Sequence, residues 1–100
     1  MRISIQPAAL ADLRRGFYFC ERKTGGLGRY FLDSLSLDID SLELHGGIHS
    51  IHYGRFYRLL SDRFPFAVYY QLKGDDILVR AVLDLRRDSK VKTGELLRLK

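Results

Sequence analysis

The sequence predicts an α+β domain: an N-terminal strand, a two-helix hairpin, then an antiparallel three-stranded meander with the helices packed on one face. Three observations predict it. Residues 55–87 hold three runs rich in aromatic and β-branched side chains, split by Ser61-Asp62-Arg63 before Pro65 and by Lys73-Gly74-Asp75-Asp76. Residues 8–23 and 27–45 instead carry apolar side chains every three or four positions, as amphipathic helices do. The chain has 100 residues, 46% of them hydrophobic, which suits one domain spanning 1–100 and one core.

Each element has its own signal. Ile3 and Ile5 alternate with polar neighbours, which reads as a strand over 2–6. Pro7 closes it and suits a first helical turn, where its missing N–H costs nothing. In the first helix Leu10, Leu13, Phe17 and Cys20 make the apolar stripe, with Asp12, Arg14, Arg15 and Arg22 off it. Gly16 weakens that helix by about 1 kcal/mol relative to Ala and marks a close helix–helix crossing. Thr24-Gly25-Gly26-Leu27-Gly28 is a connector: no Gly-Lys-Ser/Thr follows and no strand leads in, as a phosphate loop requires.

The second helix aligns Phe31, Leu35, Ile39 and Leu42, leaves Leu37 off the stripe, and stops at Gly46-Gly47. Residues 48–52 read as a short edge segment. Strands follow over 55–60, 66–72 and 77–85. In the last, Ile77, Val79, Ala81, Leu83 and Leu85 form an apolar face expected under the helices. Leu78, Arg80, Val82, Asp84 and Arg86 form an open one. Residues 88–100 are a polar tail or a short C-terminal helix; Gly94 argues against a long one.

The net charge is +5, which favours an acidic partner, nucleic acid or protein, or else marks a solvated basic face. No apolar run reaches the length of a membrane span, and residues 1–5 lack a signal-peptide core, so a cytoplasmic protein is expected. The lone Cys20 packs as a small apolar residue. His45, His49 and His52 have helical spacing, but Gly46-Gly47 breaks the helix between them, and no carboxylate pair completes a metal shell. No metal or cofactor is expected, and no Ser/His/Asp arrangement stands out.

The candidate site is the open face of the sheet. Arg80, Asp84, Arg86 and Arg87, with Arg58 and Tyr69 by register, offer planar guanidinium forks suited to phosphate or carboxylate. The bland alternative is an Asp84 ion pair with Arg80 or Arg86 at the surface.

Specific stretches carry a family resemblance: Ala8-Ala9-Leu10-Ala11-Asp12-Leu13, Gly26-Leu27-Gly28, Gly47-Ile48-His49, Tyr57-Arg58-Leu59-Leu60, Arg63-Phe64-Pro65-Phe66-Ala67-Val68-Tyr69-Tyr70 and Ala81-Val82-Leu83-Asp84-Leu85-Arg86-Arg87-Asp88. With the element order, they resemble the RelE/ParE superfamily of toxins from bacterial type II toxin–antitoxin (plasmid stabilisation) systems. The resemblance implies a cognate antitoxin partner, and either DNA gyrase or ribosome-bound mRNA as target. In the mRNA-cleaving members, Arg58 falls where a lysine stands and Arg86 where a key arginine stands, so these two would be the catalytic residues. Leu60, Ala67 and Lys92 fall where another lysine, an arginine and a tyrosine are expected. That departure favours a ParE-like toxin acting by binding gyrase over a metal-independent mRNA endoribonuclease. A non-toxic antitoxin-binding relative is the third reading. The antitoxin is expected on the two-helix groove with Leu37 and Leu44, or on the open sheet face. The chain is expected as a homodimer or a toxin–antitoxin hetero-oligomer.

Overall fold

The computed structural model describes residues 1–87 and 89–99. The elements are β1 (Arg2–Ile5), α1 (Pro7–Lys23), α2 (Leu27–Asp40), α3 (Leu42–His45), β2 (Ile51–His52), β3 (Phe56–Leu60), β4 (Phe66–Lys73), β5 (Asp76–Asp84) and α4 (Ser89–Leu97). The strands form one sheet in the order β1-β5-β4-β3-β2. β1 runs parallel to β5, while β2 to β5 are antiparallel throughout. The meander expected from the turn chemistry is therefore present, flanked by an edge strand on either side.

The α1–α2 hairpin covers one face. Ala9, Leu13, Cys20, Phe31, Leu35, Ile39 and Leu42 meet Phe66, Val68, Tyr70, Ile77, Val79 and Val82 in the main core. Gly16 is what lets the helices close: a Cβ there would lie 2.4 Å from the Phe31 ring. Phe31 in turn stands edge-on to Phe64 and Phe66 at 5.2 and 4.9 Å. The turn is clamped by Glu21, whose carboxylate accepts from Gly28 N at 2.9 Å and Gly26 N at 3.0 Å. A side chain of α1 thus caps the orphan donors at the start of α2. The expected single helix over 27–45 is bent at Ser41, whose Oγ donates to the Asp38 carbonyl at 2.6 Å.

The expectation for the last strand is corrected. Ile77 and Val79 do lie under the helices, but Ala81 and Leu83 face the other way. The cause is a β-bulge: Tyr69 pairs with Ala81 and Tyr70 with Val79, so Arg80 is the extra residue between two successive register pairs. The extra residue inverts every side chain beyond it, so Val82 and not Leu83 enters the main core.

The outer face is not open either. Leu96 from α4 and Leu99 beyond it pack on Phe56, Ala67, Tyr69, Ala81 and Leu83, forming a second, smaller core. The tail is the short helix and not a polar extension, and Gly94 sits within it, with no atom near where a Cβ would be.

Candidate functional site

The bulge and α4 sort the expected site residues into two places. Arg58 and Tyr69 are register partners on the outer face, and Arg80 lies on the same face, donating to Gln71 Oε1 at 2.8 Å. Asp84, Arg86 and Arg87 are not beside them. Beyond the bulge Asp84 turns toward α1, where it joins Asp12, Arg15, Gly16, Phe19, Phe66, Val82 and Arg87 around a cleft of about 320 Å³. The six residues do not form one cluster.

On the outer face Tyr69 is fully buried, and its hydroxyl and Arg58 Nε are sealed from solvent without a hydrogen bond among the described residues. Burial raises the phenol's pKa, and Arg58, first through donors facing the hydroxyl and then through its charge, opposes that rise. Two residues outside the expected site, Tyr53 and His52, complete this corner. Tyr53 adopts φ +56 in the β2–β3 turn and brings its ring to 6.3 Å from that of Tyr69. A left-handed conformation costs a bulky residue about 1–2 kcal/mol, so the packing on Tyr69 holds it there. His52 bonds Ser50 Oγ at 2.9 Å, and burial with the Arg58 charge lowers its pKa, favouring the neutral ring at pH 7.

The second place is an ion-pair relay at the end of β5. Arg86 grips Asp84 through Nε at 2.9 Å and Nη2 at 2.7 Å, while its backbone N–H donates to the same carboxylate at 2.9 Å. Those bonds pull the Asp84 carboxyl below its usual range and raise Arg86 further. Arg87 bonds Glu95 of α4 at 2.6 Å. The expected surface ion pair of Asp84 with Arg86 is therefore present, and Arg86 spends its fork on it.

Asp12 was expected off the apolar stripe and is instead buried. Its Oδ2 accepts the Val82 N–H at 2.9 Å, and it pairs with Arg15. β1 stops at Ile5, opposite Val79, so no strand reaches the Val82 N–H; the helix supplies the missing acceptor. Burial raises the Asp12 carboxyl to about 6, against the lowering effects of the Val82 N–H and Arg15.

Two pieces of chemistry are on offer. The Arg58–Tyr69 corner could hold an anion only if α4 moved off it. The surface beside α1 offers exposed cations and rings. Among the described residues no three His, Cys, Asp or Glu side chains gather to hold a metal. His49 bonds the Tyr70 hydroxyl, away from the Ser50–His52 pair. Leu37 and Leu44 are 70% and 85% exposed on α2 and α3. No helix is long and apolar enough to cross a membrane among the described residues.

No protein-family model matches the sequence, and no curated protein matches it. Among solved structures, a chain of the chromosomal ParDE TA system from P. aeruginosa superposes with a TM-score of 0.80. The match covers 86% of this chain and 97% of that one, at 16% sequence identity. A likeness so complete in length and so low in identity is one of fold. The architecture built from these residues is thus one shared with a chain of that ParDE TA system.

Proposed function

We propose that this chain is the toxin of a type II toxin–antitoxin module, that it arrests growth by binding DNA gyrase, and that a cognate antitoxin holds it inactive. The observation that carries binding over RNA cleavage is the state of the outer face. α4 covers it with Leu96 and Leu99, Tyr69 is dry beneath, and Leu60 and Ala67 bring no charge. Arg86 is neutralised by Asp84. An in-line phosphodiester cleavage needs donors preorganised at the reacting phosphate and a group to move its proton. Here Arg58 alone of the carried-over catalytic pair faces that surface.

The antitoxin occupies the exposed Leu37 and Leu44 of the helical layer, where an amphipathic segment would gain most from burial. Tight binding there keeps free toxin scarce by mass action.

The test has two steps. Expression alone and with the antitoxin measures growth arrest and its rescue; unchanged growth without antitoxin leaves only a non-toxic binding relative. A supercoiling assay with purified gyrase then identifies the target, with inhibition or a trapped cleavage complex expected. Codon-dependent cuts in a translation extract would instead assign the chain to the mRNA endoribonucleases, with Arg58 and Tyr69 on the phosphate once α4 is displaced.

A further inference from the structure

The solvent side of the α1–α2 hairpin is divided by charge. On α1, Arg14 and Arg22 point outward with the exposed Tyr18, and among the described residues no carboxylate pairs with either, whereas Arg15 is held by Asp12. Asp12 is buried, and Glu21 is turned to the start of α2. On α2 the outward stripe is Arg29, Asp33, Leu37 and Asp40, with Glu43 following on α3. Arg29 pairs with Asp33 at 3.3 Å, an exposed contact that leaves both side chains open to a further partner. One helix thus presents cations beside exposed Leu10 and Tyr18, and its neighbour presents mainly acids beside exposed Leu37.

The register across the hairpin follows from its closest contacts. Gly16 sits against Phe31, and Gly28 against Phe17 and Glu21. Counting from these, Arg14 lies level with Asp33, Leu10 with Leu37, and Tyr18 with Arg29. A two-fold axis parallel to the helices, lying between them at the surface, carries each α1 onto the α2 of a second copy and keeps these levels. It sets Arg14 against Asp33, Leu10 against Leu37, and the Tyr18 ring against the Arg29 guanidinium, a cation–π pairing. Each contact is made twice, as an isologous interface requires. An axis across the helices would instead stack α1 on α1, arginine on arginine. Charge therefore selects one of the two face-to-face arrangements.

We propose that this helical face is a self-complementary interface for a second copy of the chain, closing a symmetric dimer through a four-helix layer. Two helices about 25 and 21 Å long, side by side, bury roughly 500 Å² per copy and about 1,000 Å² in all. That is the small end of specific interfaces, so the dimer forms in the micromolar range and weakens with salt. It shares Leu37 with the proposed antitoxin surface, so the two occupants compete; the dimer itself does not depend on the chain being a toxin.

The test is sedimentation equilibrium of the purified full chain, from low micromolar to near-millimolar concentration, in low and high salt. Wild type is expected to pass from monomer to dimer and no further. R14D and D33R alone each place like charges opposite one another twice, and should raise the dissociation constant about tenfold or more. The double variant R14D/D33R swaps the pair and should return it to within about threefold of wild type. Both positions are exposed, and circular dichroism checks that each variant is folded. A monomer at all concentrations in low salt overturns the proposal. So does a dimer indifferent to both single changes, one that the double swap does not restore, or assembly beyond two.

Discussion

The two faces of the sheet are built to different standards. On the hairpin side, two helices meet through Gly16 and Phe31 with no room for a methyl group, and aromatic rings continue the contact into β4. On the other side a short helix rests on the sheet through Leu96, with Leu99 beyond it, above a phenol oxygen and a guanidinium nitrogen that have no hydrogen-bond partner among the described residues. The first face resembles an organic crystal in its packing. The second is a cover seated by few side chains over polar groups that would gain from water. The lesson is one of location: stability resides in the hairpin layer, and the surface able to change its exposure lies under α4.

Substitutions on each face can break that contrast. Phe31→Ala should give the largest loss, about 3–5 kcal/mol, because Gly16, Phe64 and Phe66 hold the space around the ring open. A chemical-denaturation midpoint close to wild type would show that the hairpin side is no better packed than the other.

The next effect lies between the faces, at Asp12, which touches Val82 of β5 and feels Glu95 of α4. Its folded pKa, about 6, lies above the unfolded value of 3.8, so folding takes up a proton. The stabilisation linked to it is complete below about pH 4 and is lost as pH rises through about 6, on the order of 3 kcal/mol. Asp12→Asn should remove this pH dependence. The measurement is the wild-type minus variant difference in unfolding free energy from pH 4 to 8. A difference that stays flat, or rises with pH, refutes the assignment.

On the α4 side, Leu96→Ala should cost about 2 kcal/mol, the low end for a buried leucine, since the helix can settle onto the gap. Its sharper signature is local: amide exchange and proteolysis near α4 should accelerate before the sheet unfolds. Uniform acceleration across the chain would mean that the two faces unfold together. The smallest effect belongs to Tyr69→Phe. The hydroxyl it removes is buried with no hydrogen-bond partner among the described residues, so stability should stay within about 1 kcal/mol of wild type or rise slightly. A large loss in thermal melting would reveal a hydrogen bond that the packing does not display.

The same contrast governs what could be read from the sequence. The hairpin side was legible because its signals are local: a 3–4 apolar period, a glycine-rich connector, and a single glycine at the crossing. The meander was legible from turn chemistry. The far side was not. In 77–85 nearly every position is apolar, so alternation alone could not show that the strand gains a residue at Arg80 and reverses its faces. Leu96 and Leu99 were visible as apolar, but nothing nearby says which surface they cover. Asp12 was misread for the same reason. A carboxylate between Leu10 and Leu13 looks solvent-facing until one knows that Val82, seventy positions away, has an N–H with no strand to receive it. The candidate site suffered most, since grouping Arg58, Arg80 and Arg86 required the register that the bulge changes.

The clamp of Glu21 on Gly26 and Gly28 bears on the order in which the chain assembles. Its contacts span only five and seven positions, so closing them costs little loop entropy and needs no strand. The helix–turn–helix unit can therefore form as a nucleus, presenting one finished apolar surface on which the meander condenses. In pulse-labelling exchange during refolding, the amides of Gly26 and Gly28 should gain protection ahead of those in β4 and β5.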